Sequence, residues 1–262
     1  MIAKRKEWIN GILLLLTLMV NAMGAFGLIN NLSQKEVSDM YQTLITPSPS
    51  TFSIWSVIYT LLIISIVVMI IKKEDTYFNK ATEEISYLFW ISCALNIIWI
   101  VSFSYNFIGL STIFILAFSI VMVLIVQVIG KIQTQNRFLL PITFGLYAGW
   151  LFIATVVNIA AWLVKIKWGG LGISPEIWSC VILLVAIAFS SIVLLKTQNA
   201  IFPLPIAWAY FGIYNFLNAS DGFDGAYKIL PIIALIGVVL LIGMSAIQLY
   251  KNKYAIMPKI KA

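Results

Sequence analysis

Hydrophobic residues in this chain occur in long runs that are separated by short polar loops. Eight of these runs approach the roughly 20 mostly apolar residues that a membrane-spanning helix needs. They cover about 8–29, 51–71, 87–107, 108–129, 138–164, 177–195, 200–217 and 229–250. Because backbone polar groups in lipid must be hydrogen-bonded within each segment, the runs predict helices rather than an open sheet. The seventh run is the weakest, since it is short and contains Pro203 and Pro205.

The composition agrees with this pattern. The 262 residues are 61% hydrophobic and only 10% charged, with a mean hydropathy of +1.00. A soluble domain of this length cannot hide so much apolar surface. The sequence therefore predicts an all-α integral membrane protein, a polytopic bundle of about eight transmembrane helices.

The net charge of +7 reflects how basic residues are distributed between the loops. If the N-terminus is inside, 13 lysines and arginines face the cytoplasm and 4 face the outside. This positive-inside bias predicts that both termini are cytoplasmic, most simply in the plasma membrane, and it gives no reason to expect a nucleic-acid partner. One alternative is open: the basic and then apolar start, residues 1–25, also fits a cleaved signal peptide.

Several kinds of chemistry lack the residues that they need. The chain has no histidine, and no Asp, Glu, Lys or Arg lies deep in a predicted span. Ion-coupled transporters place ionisable residues there, and haem, metal and hydrolytic sites commonly depend on histidine. Cys93 and Cys180 both fall inside helices, which favours two buried small residues over a disulfide. We therefore predict no catalytic residue and no metal site.

Three predicted helices carry aromatic and amide residues along one face. The spacings i, i+3 and i+7 or i, i+3, i+7 and i+11 align side chains on a helix. The residues in these positions are Phe52, Trp55 and Tyr59; Asn96, Trp99 and Phe103; and Tyr147, Trp150, Ala154 and Asn158. With a rise of 1.5 Å per residue, most of them lie roughly 6–16 Å below the outer end of their helix. We predict that they line one small-molecule pocket open to the outer leaflet. An interfacial aromatic belt and simple interhelical hydrogen bonds are the alternatives.

The segments that carry these residues resemble a known family. "FSIWSVIYTLL", "ALNIIWIVSF" and "YAGWLFIATVVN" are similar to signature segments of the TspO/translocator-protein family, the tryptophan-rich sensory proteins. The resemblance covers roughly residues 8–165, a five-helix unit. The Gly-rich connector at 165–176 then divides the chain into domains at 1–165 and 166–262. The second holds three additional helices, so the chain resembles a longer branch of the family. The resemblance also implies binding of porphyrin, haem or another flat hydrophobic ligand in a cavity that the first loop caps.

The first loop has its own helix signal. Ser33 and Glu36 are spaced as a capping box, which predicts a short helix over roughly 34–44 that would act as a lid. The family commonly has a tryptophan just before its double proline, whereas this chain has "ITPSPS" there. Trp208, in the additional helices, is expected to matter much less for the ligand than Trp55.

Three functions are consistent with these observations. The first is binding, and with it sensing or movement, of a tetrapyrrole-like or isoprenoid-like molecule. The second is uncoupled transport of a small hydrophobic solute, and the third is an enzyme that modifies a bound porphyrin. The expected partners are the lipid bilayer and a hydrophobic ligand, with a homodimer as an open alternative. No cofactor is obligatory, and a porphyrin or haem would be a ligand.

Overall fold

A computed structural model describes residues 6–134 and 136–259, and the regular structure in these ranges is helical. The α-helices are α1 (Lys6–Ala25), α2 (Gln34–Met40), α3 (Ile54–Ile71), α4 (Thr76–Ser104), α5 (Ile108–Ile132), α6 (Leu139–Lys165), α7 (Pro175–Thr197), α8 (Pro203–Asn218) and α9 (Ile229–Lys251). Two short 3-10 turns, Pro49–Ser53 and Gly170–Gly172, precede α3 and α7. The all-helical membrane architecture predicted from the sequence is confirmed.

The number of full-length spans differs from the prediction. Among the described residues, seven helices are long and apolar enough to cross a membrane, whereas eight were predicted. The predicted segment 200–217 forms α8, which has only 16 residues and a length of about 24 Å at 1.5 Å per residue. Pro203 and Pro205 delay its start, and ten of its residues are buried. Packing within the bundle therefore stabilises this short helix.

One helix begins well before its predicted start. α4 starts at Thr76 instead of 87, because the Asp75 side chain caps it by accepting from the N–H groups of Tyr77 and Phe78. The added turns carry charged residues, including Glu83, whose carboxylate pairs with Lys6 at 2.6 Å. Hydropathy alone places the start of the span after the charged residues, whereas the cap shows where the helix begins.

The predicted lid helix forms, but it is shorter than expected. Ser33 and Glu36 make both hydrogen bonds of the capping box. The helix ends at Met40 rather than near 44, because Leu44 and Ile45 are buried in the core of the bundle. Val37 is fully buried and packs with Phe103 at the end of α4, in a small cluster that also contains Ile108 and Ala161.

The last three helices share one hydrophobic core with α1 and with α3 to α6. Phe202 and Tyr210 belong to the same buried cluster as Trp150 and Ile58. α6 and α8 approach closely at Gly149, where a Cβ atom would overlap the carbonyl oxygen of Phe202. Small residues commonly allow membrane helices to approach in this way.

Contacts between loops show which helix ends share a side. Arg137, before α6, pairs with Asp75, before α4, at 2.9 Å. At the opposite end, the Lys165 ammonium donates to the Asn106 carbonyl. The count of basic residues on each side assumes that successive loops alternate between the two sides of the bundle, and these contacts agree with that assumption. Of the residues counted there, Lys4, Arg5 and Lys261 lie outside the described ranges.

Cys93 is buried, whereas Cys180 is only partly buried, and both are free thiols.

Candidate functional site

A chain of polar side chains links four helices of the bundle. The Tyr59 hydroxyl donates to Asn21 Oδ1 at 2.8 Å, and Asn21 Nδ2 donates to Asn96 Oδ1 at 2.6 Å. Asn96 Nδ2 in turn donates to the Tyr147 hydroxyl at 3.0 Å. Four helices, α3, α1, α4 and α6, each contribute one residue. Because Asn96 is fully buried, these bonds fix its amide in a single orientation.

Trp55 is the centre of an aromatic cluster beside this chain. Its ring stacks on Tyr59 with centroids 5.1 Å apart and lies tilted against Trp99 at 6.2 Å. Tyr147 and Trp150 of α6 meet it edge-on, each at 6.0 Å. Aromatic pairs prefer these stacked and edge-to-face geometries. Three helices thus present their aromatic faces to one another, as the spacing predicted.

Two donors in the cluster are unpaired. Trp99 Nε1 and Trp150 Nε1 are buried and have no hydrogen-bond partner among the described residues. The two side chains are only 8% and 2% exposed, so bulk water has little access to them. A buried donor without an acceptor costs about 1–3 kcal/mol. The cluster therefore has hydrogen-bonding capacity that the protein itself does not use.

Most of the predicted site residues come together. Seven of the ten form the cluster and its polar chain: Phe52, Trp55, Tyr59, Asn96, Trp99, Tyr147 and Trp150. Phe52 joins through its edge contact with Trp150 at 5.9 Å, and its ring is 39% exposed. Phe103 lies at the margin, 6.5 Å from Trp99 and beneath Val37 of the lid helix α2.

Asn158 and Ala154 lie elsewhere on α6. The Asn158 amide oxygen accepts from the hydroxyls of Ser111 and Thr112 on α5, at 3.3 and 3.0 Å. It therefore joins α5 to α6 and takes no part in the polar chain around Asn96. Ala154 is partly buried, and its methyl group adds no polar atom to the cluster. The sequence analysis placed Asn158 and Asn96 in one pocket, whereas the structure does not bring them together.

Asn21 was not among the predicted site residues, although its amide links Tyr59 and Asn96, which were. The sequence held a signal for it. Counted from the predicted end of the first span at 29, Asn21 lies roughly 12 Å deep, which is the depth estimated for Tyr59. The first helix carries no aromatic stripe, however, so pattern alone did not attach it to the site.

The cluster is closed in this conformation. Ring centroids 5.1–6.2 Å apart around Trp55 belong to rings in direct contact, so no ligand ring fits between them. An apolar groove of about 520 Å³ lies on another face, between α5, α6 and α7, with Phe152, Thr155 and Phe189 among its lining residues. Trp55 and Phe52 are partly exposed, so they are the rings with room to move.

The polar atoms of the cluster belong to amides, phenols and indoles. These groups donate and accept hydrogen bonds but supply neither a carboxylate nor an imidazole for acid–base chemistry. Within the described ranges, no group of three or more Cys, Asp or Glu residues is placed to hold a metal ion. If the rings separate, the arrangement offers ring contacts and a few hydrogen bonds to a flat apolar molecule.

Comparison with known proteins identifies a family. The family model described as TSPO-like protein matches residues 7–247. The match extends beyond the expected 8–165 and includes most of the last three helices. No curated protein and no solved structure matches the chain.

Proposed function

The chain belongs to the TSPO-like protein family, and from this premise we propose that it is a membrane receptor for a flat hydrophobic small molecule. The observation that carries the proposal is the cluster around Trp55, where aromatic rings from α3, α4 and α6 meet beside a buried polar chain. A largely apolar site with a few fixed polar groups is the usual form of a small-molecule site.

The unpaired indoles indicate what the ligand must carry. Trp99 Nε1 and Trp150 Nε1 are donors only, so a ligand that satisfies them has acceptor atoms, such as carbonyl or carboxylate oxygens. The Asn96 amide is less available to a ligand, because it already bonds to Asn21 and Tyr147. A tetrapyrrole with carboxylate side chains fits this description, as does a flat ring system with carbonyl groups. The ligand would reach the indoles when Trp55 and Phe52 swing aside.

Quenching of tryptophan fluorescence by protoporphyrin IX, with the full chain in lipid nanodiscs, tests the proposal. Trp55→Ala should weaken binding about tenfold or more, since one aromatic contact and its buried area correspond to roughly 1.4 kcal/mol. Trp168→Ala is the matched control, because it removes another tryptophan from the loop before α7. Weaker binding by Trp168→Ala with unchanged binding by Trp55→Ala would place the probe in the groove between α5, α6 and α7, which Trp168 also lines. Equal affinities for both variants and the wild type would place it outside both sites.

Sealed vesicles separate binding from transport. A receptor binds protoporphyrin IX without net movement across the bilayer, whereas an uncoupled transporter equilibrates it between the two sides. We propose binding as the primary activity, because the rings around Trp55 are in contact and transport would need a path past them in addition to a binding site. Equilibration that Trp55→Ala abolishes would instead favour the transporter.

A further inference from the structure

The turn that leads into α3 is attached to α8. The backbone N–H of Ser48 donates to the Gly212 carbonyl at 3.0 Å. Trp208 Nε1 donates to the Thr51 carbonyl at 2.9 Å. The two bonds join segments that are more than 150 residues apart in the sequence. They hold the 3-10 turn Pro49–Ser53 against one face of α8.

The fit between turn and helix depends on a glycine. Thr51 is 1% exposed and lies directly against Gly212, where a Cβ atom would overlap the Thr51 hydroxyl oxygen. The Thr51 hydroxyl also contacts the Ser48 hydroxyl at 3.0 Å. The turn thus sits in a notch that only glycine leaves open.

α8 contacts both walls of the aromatic cluster. The turn that it holds carries Phe52 and immediately precedes the first residues of α3, which include Trp55. On the other side, the Phe202 carbonyl packs against Gly149 of α6, the neighbour of Trp150. Phe52 and Trp150 meet at 5.9 Å between these two contacts. α8 therefore sets how far the start of α3 can move away from α6.

We propose that Trp208 and Gly212 are positioning residues for the ligand site and control how fast a ligand reaches Trp55. This inference rests on the proposed function. A ligand can reach the cluster only when Phe52 and Trp55 move, and displacement of the turn that carries Phe52 and leads into α3 breaks the two bonds to α8. If these bonds break on the way in and re-form once the ligand is bound, they slow association and dissociation equally. Trp208 thereby acquires a role that the sequence did not suggest.

Stopped-flow quenching with protoporphyrin IX in nanodiscs tests this role. Trp208→Phe keeps a ring but removes the N–H, and Gly212→Ala pushes the turn out of its notch. Each variant should raise both the association and the dissociation rate about fivefold, the effect of one lost hydrogen bond, with the Kd changed by less than about twofold.

Matched controls remove the same chemical groups elsewhere. Trp178→Phe deletes an indole N–H that bonds to the Gly170 carbonyl in the connector before α7. Gly243→Ala adds a methyl group on α9 where no atom lies within 4 Å. Both controls should leave the rates of protoporphyrin IX binding unchanged.

Amide hydrogen exchange over residues 50–53 tests the attachment without any ligand. Trp208→Phe and Gly212→Ala should each speed exchange there about fivefold while exchange in α5 stays the same. Unchanged exchange in both variants would overturn the inference, and so would unchanged rates with a Kd as weak as that of Trp55→Ala. If the wild type fails to bind protoporphyrin IX, the proposed tetrapyrrole-type ligand is wrong and the exchange result alone decides the role of α8.

Discussion

Asn21 Nδ2 lies 2.6 Å from Asn96 Oδ1, and this bond joins α1 to α4 beside the aromatic cluster. Asn21 also accepts from the Tyr59 hydroxyl, so one amide connects three helices. α1 contributes little else that is polar at this level. The first helix therefore belongs to the site through a single side chain.

Asn21→Ala should destabilise the protein by about 1–2 kcal/mol, because two interhelical bonds are lost and each is worth about 0.6 kcal/mol on average in membrane proteins, up to about 1.7. Thermal unfolding in detergent measures the change. Asn218→Ala is the control, since its amide is exposed and bonds only within its own helix. If the two variants have equal stability, the polar chain does not hold α1 in place.

Trp99→Phe separates ligand binding from stability. The variant keeps an aromatic ring and removes a buried donor that has no partner, which offsets the apolar area lost with the smaller ring, so the free energy of unfolding should change by less than about 1 kcal/mol. Affinity for protoporphyrin IX should fall by about fivefold to tenfold, the effect of one lost hydrogen bond. Unfolding curves and fluorescence titrations of the same preparation provide both values. A loss of stability with unchanged affinity would contradict a role for this N–H in the site.

Ser33→Ala should loosen α2. The Ser33 hydroxyl accepts from the Glu36 N–H, and loss of such a cap costs about 1 kcal/mol, or about fivefold in local opening. Amide exchange over residues 34–40 at pH 7 measures the change, with α5 as the internal reference. Exchange no faster than in the wild type would show that the packing of Val37 is sufficient to keep α2 folded without the cap.

The capping box also gives α2 a pH dependence. The Ser33 backbone N–H and side chain hold the pKa of the Glu36 carboxyl below its usual value. A lowered pKa means that the stabilisation is present above the ordinary carboxyl pKa and disappears as the pH falls through the lowered one. Exchange in α2, corrected for its intrinsic pH dependence, should therefore speed up in strong acid for the wild type but much less for Glu36→Gln.

Both termini are predicted to be cytoplasmic. Single cysteines at positions 2 and 262, in a background without Cys93 and Cys180, should react with a membrane-impermeant reagent only after the cells are permeabilised. The 13-to-4 distribution of basic residues carries this prediction. Labelling of position 262 from outside intact cells would reverse the orientation and place the Trp55 cluster in the inner half of the membrane.

The sequence by itself determined the helical membrane architecture, the approximate helix positions, the capping box of α2 and the aromatic faces of α3, α4 and α6. These features depend on hydropathy and on helical periodicity, which are local properties of the chain. The same local signals misplaced the start of α4, because charged residues such as Glu83 interrupt the apolar run without ending the helix.

Only the tertiary structure decided which faces meet. Asn158 has the spacing of a site residue, yet its amide faces Ser111 and Thr112 because α5 packs there. Asn21 and Trp208 have no periodic pattern that marks them, yet the packing of α1 brings Asn21 to the cluster and the packing of α8 brings Trp208 to the turn before α3. Periodicity gives the direction of a side chain around its own helix axis, whereas the neighbour that it contacts depends on the arrangement of all the helices.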